Sequence, residues 1–283
     1  MNIRPLFKKK IIIEETILNL VSDINTDDID NNIYNNIDNN GYNNENLENF
    51  IINERNQLKT YMKEHPLFAK TLRPYKIKQK EGREKKERDE YHSKTPEIVE
   101  LMINGSNIAN VGPTATLAGT IAELSLDYLI KCGSNYSIVD NGGDIAFLNN
   151  CSRKKIVFGI YAGNSPFSGN IGLEFKFKKK NQRFGVCTSS ASVGYSISYG
   201  RSDGVTVISN QASVADGLAS AIGNKVNGKL DKDAVENGLT AAEKYREHFI
   251  GALIIVGESI GTIGKVPKIV AIDNDNILAN YDR

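Results

Sequence analysis

The sequence predicts an α+β fold with mixed or antiparallel sheets packed against helices, and three observations predict it. Strand-like stretches come partly in pairs around turn signals, as Tyr136–Val139 and Asp144–Leu148 do across Asn141-Gly142, instead of alternating strictly with helices. Segments of helical apolar spacing stand apart from them: Leu47, Phe50, Ile51, Leu58, Tyr61 and Met62 form one such stripe, and 113–131 carries another. At 283 residues, 40% hydrophobic and 24% charged, the chain is long and apolar enough to bury a substantial core.

Taken in order, Lys10–Ser22 reads as a strand or strand pair, rich in isoleucine. Asn25–Asn46 turns abruptly to Asn, Asp and Ile and lacks the apolar mass to offset ordering entropy, so it reads as a loop or disordered insert. The helix that follows stops before Pro66, and Lys76–Lys94, mixed in charge and nearly free of apolar residues, reads as a linker. The expected organisation is N-terminal strands in 1–24, the insert in 25–46, a helical segment in 47–75, the linker in 76–94 and a main core in 95–283. Residues 10–24 and 47–75 are expected to join that core in one domain.

Within the core, Pro96–Ile103 predicts a short helix and Pro113–Lys131 a longer one. Lys155–Tyr161 and Ile171–Lys178 have strand character, and Val193–Tyr199 with Val205–Ser209 predicts a hairpin. Ser213–Asn224 and Asp233–Arg246 are helical, and Ala252–Val256 closes the chain's predicted elements as a strand.

Composition excludes several classes. A formal charge of +1 gives no global attraction to nucleic acid or an anionic membrane, and no apolar run approaches the ~20 residues of a membrane span. Three cysteines without a CxxC spacing argue against a disulfide framework or a Cys-built zinc site and point to the cytoplasm. A small-molecule ligand is the expected partner.

The residues that bear chemistry lie between Val111 and Asn224. Gly112-Pro113-Thr114 opens a helix whose free N–H groups suit an anion, and Ala115, Ala118, Gly119 and Ala122 follow as a small-residue face for close approach of backbone or ligand. Asn141-Gly142-Gly143-Asp144 reads as a hairpin turn at Asn-Gly, or as exposed backbone with a carboxylate aimed at a ligand. Cys187-Thr188-Ser189-Ser190-Ala191-Ser192 reads as a hydroxyl-rich loop for phosphate or for capping a helix. Cys187 is a candidate nucleophile for thiol-dependent sulfur handling, but none of the three histidines is placed by sequence to activate it. Ser213 and Asp216 match a capping box, whereas Asp216 and Ser220, at i and i+4, set two hard oxygen donors on one helical face, as a Mg2+ site requires.

In their order these segments resemble the ApbE-like superfamily, and most closely a branch of it common in methanogenic archaea. Val111–Glu123, Asp140–Ile145, Gly185–Ser190, Val193–Ser196 and Ala215–Asn224 carry the resemblance, supported by Tyr61–Phe68 and Ile250–Gly264. Proteins of that superfamily bind FAD and, with Mg2+, transfer its FMN part to a threonine of another protein; for this chain the resemblance implies the fold and a pocket for FAD, FMN or another nucleotide-type phosphate ligand with Mg2+. It also implies that Asp216 and Ser220 ligate the metal, that Asn141–Asp144 lie beside the flavin, and that Thr188 and Ser189 lie near it. Ala118 departs from the pattern by replacing a lysine, and a His-Ile-Ile-Asp-Pro segment is missing between Ser190 and Val205. Tyr195 stands where the branch usually has histidine. The resemblance therefore also admits an accessory protein that binds the ligand and has lost FMN transfer.

Overall fold

The computed structural model describes residues 4–24, 46–76, 95–151, 155–177, 182–190 and 200–272. Its centre is an eight-stranded sheet in the order β1 (Phe7–Ile13), β2 (Thr16–Ser22), β3 (Tyr136–Asn141), β4 (Asp144–Asn149), β7 (Gln182–Ser189), β8 (Gly204–Ser209), β9 (Gly251–Val256), β10 (Ser259–Gly264). A three-stranded sheet, β11 (Lys268–Ala271), β6 (Ile171–Lys176), β5 (Lys155–Gly159), accompanies it. Every pairing among these strands is antiparallel, so of the two expected sheet types only the antiparallel one is found here.

Alternation along the strands sends successive side chains to two different cores. On one face Leu18, Leu20, Val139, Ala146, Cys187, Val205, Val207 and Ile254 meet the helices. On the other, Val21, Ile138, Phe147, Val186, Ile208 and Ile255 meet Ile156, Phe158, Leu173 and Phe175 of the smaller sheet. Phe147 contacts Tyr136 and Phe158 edge-on, with centroids 5.7 and 5.6 Å apart, the geometry that ring quadrupoles favour. Strands β8 and β9 are buried at all six of their positions, which is why GVTVIS and GALIIV read as apolar runs and not as alternating patterns.

The helical side consists of α1 (Leu47–Glu64), α2 (Pro66–Lys70), α3 (Glu97–Ala109), α4 (Leu117–Lys131, entered through a 3-10 turn at Pro113–Thr116), α5 (Ala212–Gly223) and α6 (Asp231–Glu243). Helix α1 starts at Asn46, whose Oδ1 accepts the Asn49 N–H at 2.8 Å, and ends at His65 before Pro66 starts α2.

Several expectations are corrected. Helix α3 runs to Ala109 and not to Ile103: Asn104-Gly105 has the composition of a turn, but Gly105 serves close packing, since a Cβ there would lie 2.7 Å from the Ser213 carbonyl oxygen. The helix stops instead at Asn110, a left-handed residue with φ 56°. Cys187, Thr188 and Ser189 lie on strand β7 and not in a loop, and β7 is the hairpin partner of Val205–Ser209. Strands β10 and β11 extend the sheets beyond the elements the sequence predicts. The predicted strand at Val193–Tyr199, most of the Asn-rich insert and most of the charged linker lie outside the described residues. None of the described helices is long and apolar enough to cross a membrane.

Candidate functional site

The site forms where the β3–β4 turn meets the start of α4 and the middle of α5. Gly142 and Gly143 are the two turn residues, with φ of 69° and 103°, and Asn141 pairs with Asp144 across them. Two consecutive positive φ values define the tight hairpin turn that glycines accommodate without strain. The turn therefore sits one residue beyond the Asn-Gly pair, and the second glycine is explained by it. Asn141 and Asp144 become the last paired residues of their strands. Asn141 donates from Nδ2 to the Ala118 carbonyl of α4 at 3.1 Å, and the neighbouring Asp140 accepts the Gly143 N–H at 2.8 Å.

Asp144 stands opposite Cys187 in the β4–β7 register, and Cys187 is wholly buried, its Sγ donating to the Ala212 carbonyl of α5 at 3.3 Å. One turn into α5, Asp216 Oδ2 accepts the Gly119 N–H of α4 at 2.9 Å. Gly119 permits this approach: a Cβ there would lie 2.7 Å from the Asp216 Cβ and would strike the Ala212 carbonyl oxygen. The small-residue face anticipated at Ala118 and Gly119 thus brings α4 against α5 and presents backbone donors to a carboxylate. Ser220 follows Asp216 by one turn and is partly exposed.

The capping-box expectation is corrected at this helix. Helix α5 starts at Ala212 after Gln211, so Ser213 is already inside its first turn. Its N–H and hydroxyl are both taken by Glu123 Oε2 of α4, at 3.0 and 2.7 Å. Glu123 is itself buried, with Arg183 Nη2 at 3.4 Å from Oε1. A carboxylate from the neighbouring helix thus satisfies a helix-start N–H group and lies at its positive end. Sequence spacing within one helix gives no signal for such a cap.

Thr188 and Ser189 are adjacent on β7, so their side chains leave opposite faces of the sheet. Thr188 shares the side of Val186 and bonds the Thr206 hydroxyl at 2.9 Å, whereas Ser189 falls on the α5 side, its Oγ 3.8 Å from where a Cβ on Gly223 would stand. Gly112 and Pro113 are buried, and a Cβ on Gly112 would strike the Thr71 carbonyl oxygen, so that glycine accommodates the segment after α2. Thr114 is the exposed residue of that triplet.

Electrostatics mark the carboxylates. Burial raises the Asp144 carboxyl well above the usual carboxylate range, and the nearby charges of Asp216 and Asp140 add to this, while the Cys187 thiol and the Thr188 N–H pull it partly back. Burial likewise pushes Asp216 up to about 7 against the opposing pull of the Gly119 and Ala118 N–H groups, and burial raises Asp140. Among the described residues, no lysine, arginine or histidine pairs with these three. Cys187 is pushed well above the ordinary thiol range by burial and by Asp144 and Asp216. It is thus held as a neutral thiol, the wrong state for a nucleophile.

A hard divalent cation fits this donor set better than a soft one. The available groups are carboxylate and hydroxyl oxygens, and Asp144 Oδ1 is buried with no hydrogen-bond partner. The described residues contain no group of three or more His, Cys, Asp or Glu side chains placed to hold a metal. A cation here would therefore be only partly coordinated by protein, as Mg2+ usually is, with water or ligand oxygens completing its shell.

The family model described as "AbpE bacteria" matches residues 22–262. The UPF0280 protein of Methanothermobacter thermautotrophicus is 44% identical over 237 residues, which are 84% of this chain and 84% of that protein. The UPF0280 protein of Methanobrevibacter smithii is 43% identical over 83% of this chain and 91% of its own length. Among solved structures, the apo form of Pseudomonas stutzeri flavinyl transferase ApbE superposes with a TM-score of 0.48 at 13% identity, over 92% of this chain and 94% of that one. By the extent of the family match and the identity to its archaeal relatives, the chain belongs to the AbpE family, on the branch of the UPF0280 proteins.

Proposed function

We propose that the protein binds a flavin or another nucleotide-type ligand through its phosphate groups, with Mg2+ held by Asp216 and Ser220. The observation that carries this reading is the position of Asp216. The Gly119 N–H fixes its carboxylate at the α4–α5 junction, with Ser220 one turn along the same face and, among the described residues, no basic side chain paired with it. Mg2+ bound there would supply the positive charge that phosphate oxygens need in the absence of a lysine. Asn141 holds the β3–β4 turn against Ala118, so the backbone of Gly142 and Gly143 borders the same space. Ser189 and Thr114 are the further hydroxyls within the reading's reach, the first at the α5 end and the second on the exposed start of α4. The ordered motifs that resemble the ApbE proteins support a flavin as the ligand.

Ala118 favours a second reading, a binding or accessory protein without transfer activity, because it places a methyl group where the resembled enzymes carry a lysine. Thiol chemistry at Cys187 is disfavoured by the neutral state in which its surroundings hold it.

Calorimetric titration of FAD, FMN and ATP into the purified chain, with Mg2+ and then with EDTA, tests the proposal. Binding that weakens at least tenfold in EDTA and in Asp216→Asn is expected. Failure of all three ligands to bind in either buffer removes the proposal. Binding without any FMN transfer to a threonine-containing acceptor selects the accessory reading.

A further inference from the structure

The sequence assigned Asp144 to the ligand side of the site; its surroundings give it a different role. We propose that Asp144 is a direct ligand of the divalent cation, sharing it with Asp216. The inference rests on the cation-assisted reading of the site above.

Asp144 Oδ1 is buried and has no hydrogen-bond partner among the described residues. A buried acceptor without a partner costs on the order of 1–3 kcal/mol, more when it is charged, and folds keep such a group where something else satisfies it. The described residues around it supply no candidate. The Cys187 thiol and the Thr188 N–H lie on its β7 side and leave Oδ1 open. Its other charged neighbours, the carboxylates of Asp216 and, more weakly, Asp140, repel it.

The backbone positions from which the two carboxylates extend are tied to one helix. The Gly142–Gly143 turn fixes where Asp144 leaves β4, and Asn141 ties that turn to Ala118. The next residue of α4, Gly119, holds Asp216. Two adjacent residues of one helix therefore secure both carboxylates' supports. Like charges so held need a counter-charge between them, and no basic side chain is paired with either among the described residues. A hard cation answers both deficits, the open oxygen of Asp144 and the charge of the pair. Two carboxylates and the Ser220 hydroxyl leave sites for water or for phosphate oxygens.

The test uses the full chain stripped with EDTA and Mn2+ alone as probe, with free Mn2+ read by electron paramagnetic resonance and Mg2+ as competitor. One site is expected in the unaltered protein. Asp144→Asn and Asp144→Ser should each weaken Mn2+ at least tenfold, as Asp216→Asn does, with Ser220→Ala less affected. Both Asp144 variants should melt in EDTA no lower than the unaltered chain, since each removes a buried carboxyl that lacks a partner there. Unchanged Mn2+ affinity in either folded Asp144 variant overturns the inference; if FAD binding by the unaltered chain then still requires Mn2+, the function proposed above survives. Mn2+ binding through both aspartates without binding of FAD, FMN or ATP keeps the inference and removes that function. No Mn2+ binding at all overturns the metal assignment in both.

Discussion

Replacing Asp216 by asparagine in the metal-free protein should change the pH dependence of folding stability in a way few other substitutions can. The Asp216 carboxyl is raised from 3.8 to about 7 in the folded chain. Between those values the folded protein keeps a proton that the unfolded chain has released, so stability falls as pH rises through the window. The contribution is fully present below about pH 4 and gone above about pH 7. At about 1.36 kcal/mol for each pH unit, the total is on the order of 4 kcal/mol. Asparagine keeps an oxygen for the Gly119 N–H and has no charge to lose, so its stability lacks this component. The measurement is urea unfolding of both proteins in EDTA at about pH 4 and about pH 8. Taking the difference of differences cancels any constant loss from the altered hydrogen bond. Relative to the unaltered chain, Asp216→Asn should gain on the order of 4 kcal/mol between the two conditions. A gain below about 1 kcal/mol would show that the carboxyl is solvated or paired, and the electrostatic account of the site would fall with it.

Three further outcomes are expected. Glu123→Ala strands the Ser213 N–H and hydroxyl in the α4–α5 interface and should cost about 3 kcal/mol in urea unfolding, with Glu123→Gln costing less. Gly119→Ala drives a methyl group into the Ala212 carbonyl, a backbone atom that cannot rotate away, and should cost about 1–3 kcal/mol and lower the melting temperature. Of the three free cysteines, Cys132 and Cys187 are buried and their thiols raised by burial. Ellman's reagent at about pH 8 should therefore titrate Cys151 first in the native protein, and rapid modification of Cys187 would contradict its placement.

The parts of the fold visible in the sequence are those where local pattern and tertiary role agree. The stripe from Leu47 to Met62, the stop at Pro66 and the paired strands around Gly142 are cases in which periodicity or turn chemistry suffices. The misread parts are those where a residue serves a distant neighbour. Gly105 has the composition of a turn yet packs on Ser213, 108 positions away by numbering, and Gly112 makes room for Thr71. Thr188 and Ser189 look like a loop because hydroxyl residues usually are, but cross-strand pairing with Thr206 and Val205 makes them strand. At the candidate site, Asp216 and Ser220 stand out in the sequence by spacing, and Asp144 by its glycine pair. Their convergence does not, because it depends on Gly119 and Asn141 acting across elements. Glu123 and Arg183, which brace that junction, are ordinary charged residues to any local pattern.

Strand β7 divides its side chains between two unlike environments, with Val186 and Thr188 toward the aromatic layer and Cys187 and Ser189 toward α5. This makes its length a stricter constraint than its composition. Deleting one residue between Gln182 and Cys187 would slide every later position by one, putting the Thr188 hydroxyl against α5 where the Cys187 thiol now fits and Cys187 itself into the aromatic-layer place of Val186. Drift along this strand is therefore free to exchange one residue for another of similar shape. Gain or loss of a single residue would exchange the two faces at once, with β4 and β8 on either side holding the original register.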